Sequence, residues 1–299
     1  MRRSRDSFGP VYGRVEDFIY RWGLGGVILP GALAWDCYPQ AALAPVLTAN
    51  AAIDTLGVYV AAVTAGGIAT PYYLTHVAIG SSDQADFDYL VAAREGAGSP
   101  VRYFRGVNNI DGGTTDILPY VVAAPPYPVT AGNSLDLAMA ASTGAKQLQV
   151  YAEVLKVQPT VFPTLMRIAP TVASAVLPAA NASQGTLITS GAGVFLYGGY
   201  TALTAGLSTG AIITRVSARS GDVATTMQFT LATGGAGSEV DWGTFGTPFC
   251  ALGAGSSEAM VHYDLTPFPF FLPASTRLSV RLRTAAAGAK TIRAAVEYI

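Results

Sequence analysis

The sequence predicts an all-β protein: two tandem, duplicated antiparallel β-sandwich domains preceded by an N-terminal arm. Three observations carry that reading. Short segments alternate in polarity with a period of two, as a half-buried strand must when successive side chains point to opposite faces. Clusters of turn-formers separate them, among them Thr-Ala-Gly-Gly, Gly-Ser-Ser-Asp and Gly-Ala-Gly-Ser-Pro, with no convincing helical period between. And the second half repeats the first. GAKQLQVYAEVL, from Gly144 to Leu155, returns as GAKTIRAAVEYI, from Gly288 to Ile299. In both, apolar residues take one face (Leu148, Val150, Ala152, Val154; Ile292, Ala294, Val296, Tyr298), and Glu153 or Glu297 takes the other.

The elements follow in order. Residues 1–41 match nothing later and form the arm. Val11, Val15, Phe18, Ile19 and Trp22 lie at helical spacing, and Asp17 with Arg21 makes an i,i+4 pair, so a short amphipathic helix is predicted over 11–22. Gly23, Gly25, Gly26 and Pro30 end it. The first sandwich spans 42–157, with strands predicted at 56–63, 72–80, 86–94, 101–107, 116–122, 134–141 and 147–155. A proline-rich linker covers 158–171. The second sandwich spans 172–299, with strands at 193–201, 211–219, 225–232, 245–251, 259–265, 277–284 and 291–299. Further matches bind the copies: Tyr120 to Tyr263, Pro126 to Pro269, Leu135 to Leu278, and VLTANA at Val46 to VLPAANA at Val176. The clusters PPYP and PFPFFLP belong at an edge or crossing loop, because proline cannot donate to a ladder. A jelly roll is the preferred sandwich and an immunoglobulin-like one the runner-up, although the Cys…Trp…Cys pattern of an immunoglobulin domain is missing.

Composition narrows the function. Charged residues make up 12% of the 299 residues, half the usual share of about 25%, and there are 33 glycines. Such a chain suits extensive interfacial surface. A net charge of −1 argues against a polyanion binder as a whole. Cys37 and Cys250 make no disulfide framework and read as two buried reduced thiols. No apolar run reaches the ~18 residues of a membrane span. The N-terminal arginines, interrupted by acids, read as retained and not as a cleaved signal.

Groups that carry chemistry are few, and the chain reads as non-enzymatic, with no cofactor or metal. His76 and His262 are the only histidines, and neither falls where the other copy has one. Gly206-Leu-Ser208-Thr-Gly210 fits the nucleophile-elbow pattern, but alternating strand residues follow it where that motif needs a helix. Asn108 to Gly113 reads as a plain turn instead of a calcium loop. The stretch holding Asp241, Trp242 and Phe245 has the aromatic faces to stack on a sugar, or else fills a gap between domains. Arg2, Arg3 and Arg5 offer at most a weak nucleic-acid contact, since Asp6, Glu16 and Asp17 offset them; docking on protein is the better use of the arm.

In texture and repeat layout, strands such as FFLPASTRLSVRL followed by GAKTIRAAVEYI resemble the jelly-roll modules of bacteriophage virion proteins. The resemblance implies a homo-oligomeric structural subunit of a virion, made in the host cytoplasm: a decoration, collar or tail-fibre component. A double-jelly-roll capsid shell protein is the alternative within that class, and a carbohydrate- or receptor-binding module the alternative outside it. On the first reading the arm residues Val15, Phe18, Ile19 and Trp22 dock on a neighbouring subunit.

Overall fold

A computed structural model describes residues 33–40, 44–81, 87–108, 121–157, 173–220, 225–250, 260–265 and 270–299. The arm residues Val15, Phe18, Ile19 and Trp22, the arginines Arg2, Arg3 and Arg5, and the linker lie outside the described residues.

Among the described residues, nine strands belong to the first half: β1 (Leu33–Tyr38), β2 (Val46–Thr48), β3 (Val60–Val63), β4 (Tyr72–Ser81), β5 (Phe87–Glu95), β6 (Pro100–Asn108), β7 (Val121–Val129), β8 (Leu135–Ala141) and β9 (Gln147–Val157). Ten form the second: β10 (Ala175–Leu177), β11 (Thr186–Thr189), β12 (Thr201–Thr204), β13 (Ala211–Ser220), β14 (Thr225–Thr233), β15 (Val240–Cys250), β16 (Met260–Asp264), β17 (Phe270–Leu272), β18 (Leu278–Thr284) and β19 (Thr291–Tyr298). One sheet of the first half runs β1-β9-β4-β7, with β2 also on β9, and the other runs β3-β8-β5-β6. In the second half the orders are β10-β19-β13-β16, with β11 on β19 and β17 on β13, and β12-β18-β14-β15. Counting β1 with β2, β10 with β11, and β16 with β17 as broken strands, both halves read 1-8-3-6 facing 2-7-4-5. That order is the jelly roll, two Greek keys wrapped into a sandwich.

Alternation places the cores. Phe87, Tyr89, Val91 and Ala93 of β5 point inward to Leu148, Val150, Ala152 and Val154 of β9. Met227, Phe229 and Leu231 of β14 meet Ile292, Ala294 and Val296 of β19 in the second half. A glycine closes each sandwich at the same place: a Cβ on Gly57 would lie 1.9 Å from the Thr48 carbonyl oxygen, and one on Gly198 1.9 Å from that of Thr189.

The structure adjusts the expected elements. Residues Leu33–Tyr38, assigned to the arm, are an edge strand paired with Tyr38 opposite Ala152 and Leu33 opposite Val157, and the Cys37 thiol on that edge is exposed instead of buried. The match of Val46 to Val176 is displaced by the pairing register. Cys37 and Val176 stand opposite the equivalent Glu153 and Glu297, each two residues ahead of a cis proline, Pro39 or Pro178. The true counterpart of Val46–Thr48 is Leu187–Thr189. Likewise Val121, opposite Val77, is the counterpart of Tyr263, opposite Val216, one place on from Tyr120. Apolar triplets match by chance; only the partner strand settles register. Residues 193–200, predicted as strand, form a loop, turned by Phe195 at φ 55° and by the close approach at Gly198. The prolines of PPYP do lie on an edge strand, β7.

Candidate functional site

The two jelly rolls meet along a seam that pairs unlike faces. From the first comes the outer face of the sheet holding β5, β6 and β8; from the second comes the outer face of the sheet holding β10, β13 and β19. Leu90 and Ala140 pack there with Val176 and Ala295, joined by Leu56, Tyr103 and Ala182. Around this small apolar patch the seam is charged. Arg105 of β6 is 0% exposed. Its guanidinium donates to the Ser183 carbonyl through Nε (3.2 Å) and Nη2 (2.7 Å), and to Ser217 Oγ of β13 through Nη1 (2.6 Å). Arg219 of β13 reaches back to Asp88 of β5. Arg215 and Glu297, both buried, pair at 3.2 Å on the second jelly roll's side. Asp54 accepts from the Ser183 backbone N–H at 3.0 Å and from its hydroxyl.

The electrostatics follow from burial. Loss of water raises the Asp88 and Glu297 carboxyls above their ordinary range, with Arg219 and Arg215 pulling each back. Burial lowers the Arg102 and Arg105 guanidiniums to about 10. Burial, then the charges of Arg215 and Arg105, pushes His262 down to about 3, so it is neutral at physiological pH. A buried pair of this kind breaks about even against apolar replacements, but losing one member leaves an uncompensated charge. The seam therefore specifies one docking geometry more than it adds stability.

The two copies use the same face differently. The register of β5 on β8 and of β14 on β18 makes Leu90, Ala92, Ala138 and Ala140 the counterparts of Gln228, Thr230, Arg281 and Arg283. The first set is apolar and buried, with Leu90 and Ala140 packed in the seam. The second is polar: Thr230 is itself buried, bonded to the Tyr197 hydroxyl at 3.0 Å and to Thr244 Oγ1 at 2.8 Å, while Gln228, Arg281 and Arg283 are half-buried beside Tyr197 and Tyr200. The Arg281 guanidinium lies 4.1 Å from the Tyr197 ring centre and 4.7 Å from that of Tyr200, and it pairs with Asp241, which also accepts from the Tyr200 hydroxyl at 2.5 Å. Arg283 stacks on Tyr197 at 4.7 Å and donates through Nε to Gln228 at 2.8 Å.

Of the predicted sugar-contact residues, Asp241 is thus engaged by Arg281 and Tyr200. Trp242 sits 4.1 Å, centroid to centroid, from Phe270 and 6.2 Å from Phe245, at an edge of the second sandwich. Phe245 stacks on Phe229 at 5.4 Å and packs against that sandwich's core. Trp242 and Phe245 therefore share one aromatic cluster, while Asp241 belongs to the Tyr–Arg face. Ser208 lies exposed in the loop between β12 and β13, with strand on either side. His76 faces Glu153 at 3.9 Å, the place of the Arg215–Glu297 pair in the second copy. Sequence reading missed the seam. Its signal was present: buried-face positions that are Leu or Ala in one copy and Gln, Thr or Arg in the other.

No family model and no curated protein matches the chain. Among solved structures, it is similar to the N-terminal CBM22-1-CBM22-2 tandem domain from Paenibacillus barcinonensis Xyn10C, at 9% identity over 90% of this chain and 91% of that one, with a TM-score of 0.23. It is also similar to vicilin from Capsicum annuum, at 10% identity over 78% and 76% of the two chains, with a TM-score of 0.12. At these TM-scores neither likeness bears on function.

Proposed function

We propose that this chain is a non-enzymatic structural subunit of a bacteriophage virion, a decoration, collar or tail component, that works by assembling with copies of itself and with other virion proteins. The observation that supports this reading best is the seam. Two jelly rolls are held by Arg105, Asp54 and the Arg219–Asp88 pair into one block, with side chains spent on contact between modules. A block of fixed geometry is what an assembling subunit needs, because interfaces on both modules must be presented at once. A double-jelly-roll shell protein uses the same block and remains the second position within the class.

The carbohydrate-binding reading draws on the half-exposed Trp242. Against it, that ring lies on Phe270, and Arg281 and Arg283 lie over the Tyr197 and Tyr200 rings, so much of the aromatic surface that would stack on a sugar is used internally. Native mass spectrometry of the purified full chain, run beside a glycan array, tests both. Assembly predicts a closed oligomer or a concentration-dependent series and no glycan signal. A strict monomer that binds a glycan, and loses it in Trp242→Ala, would replace the structural reading with the carbohydrate one.

A further inference from the structure

Phe195 occupies the position of Asp54. Both have positive φ, 55° and 57°, and both stand three residues before the glycine that closes the sandwich, Gly198 or Gly57. In the first jelly roll that position reaches across the seam to Ser183. In the second it projects into solvent between two more apolar residues: Val194, Phe195 and Leu196 are 55%, 54% and 56% exposed. Asp tolerates left-handed backbone through its short polar side chain, whereas a bulky aromatic residue there is strained. Single exposed apolar residues are ordinary, but three consecutive ones at the rim of an open sheet form a patch.

From this we infer that the outer face of the second jelly roll, led by Phe195 and carrying Arg283, docks a second copy of this chain. The inference rests on the assembly reading above and names the surface that performs it. Three observations select the occupant. The equivalent face of the first jelly roll already docks on a jelly roll of this same chain, with the loop at Asp54 at its rim, so the contact would extend an interface the molecule already uses. Arg283 has Gln228 and the Tyr197 ring as its partners and no carboxylate among the described residues. Across the seam Arg219 finds its acid, Asp88, on the opposing module, and Arg283 is placed to do the same between chains. Finally, a net charge of −1 puts no long-range repulsion between copies. Tyr and Arg around an apolar anchor are also the residues that dominate protein interfaces.

The test is the association constant of the full chain, from sedimentation velocity and native mass spectrometry, for the wild type, Phe195→Gly and Arg283→Glu. Glycine relaxes the left-handed backbone, so Phe195→Gly is expected to keep or raise the Tm while weakening association at least tenfold. Arg283→Glu is expected to weaken it as well, increasingly so at low salt. If the wild type assembles and both variants assemble equally well, this surface is not the interface, though the assembly reading survives. A wild type that stays monomeric at every concentration overturns both.

Discussion

Arg105→Met tests whether the seam, and not the linker alone, holds the two jelly rolls together. The substitution keeps most of the side-chain volume and removes the guanidinium that donates at 3.2, 2.7 and 2.6 Å to Ser183 and Ser217. Hydrogen bonds to a charged group contribute about 2 kcal/mol each, so about 6 kcal/mol is lost in gross terms. Removing the charge also relieves a cost. The fall of the Arg105 pKa from 12.5 to about 10 corresponds to about 3 kcal/mol against the buried cation. The net expectation is a loss of about 3 kcal/mol, or a Tm lower by about 5 °C for a chain of 299 residues. Differential scanning calorimetry reads it directly, and the uncoupled jelly rolls should then unfold in two transitions. A single transition within about 2 °C of the wild type would show that the three bonds contribute nothing and refute the seam as the joint.

Two other outcomes follow from the geometry. Gly57→Ala and Gly198→Ala should each cost about 3 kcal/mol or more, because the new methyl meets a backbone carbonyl at 1.9 Å that cannot rotate away. Gly66→Ala, where φ is +76° but the space is open, should cost only about 1 kcal/mol, and chemical denaturation compares all three. For His262 the folded pKa of about 3 lies below the unfolded 6.5, so its contribution is complete above pH 6.5 and is lost as pH falls toward 3. Asp88 and Glu297, raised by burial, act in the opposite sense and favour the fold at low pH, so the difference between wild type and His262→Asn isolates the histidine. Between pH 7 and 5 that variant should lose about 2 kcal/mol less than the wild type, and identical pH profiles would show that His262 is not held neutral.

Much of the architecture could be read from residues alone, because period-two alternation is a local property. The long strands β4, β5, β8, β9, β13, β14, β18 and β19 all lie where alternation and flanking turns put them. Short β2 and β10, three residues each, carry too little pattern to be seen, and β1 was hidden by the glycines and Pro30 just before it. The aromatic cluster at Trp242 was legible as a cluster and not as a site, since Phe270, its nearest ring, is 28 residues away and arrives only through the pairing of β17 with β13.

By itself the sequence determined that there are two all-β modules, that one is a copy of the other, and which face of each long strand is apolar. Those follow from side-chain alternation and from the repeat, which need no knowledge of neighbours. Which outer face meets which was decided only in the tertiary structure. Leu90, Ala138 and Ala140 on one copy and Gln228, Arg281 and Arg283 on the other are equally compatible with a strand. Burial, which depends on what lies across the seam, makes Leu90 and Ala140 an interface and leaves Gln228, Arg281 and Arg283 half-exposed beside their own Tyr197 and Tyr200.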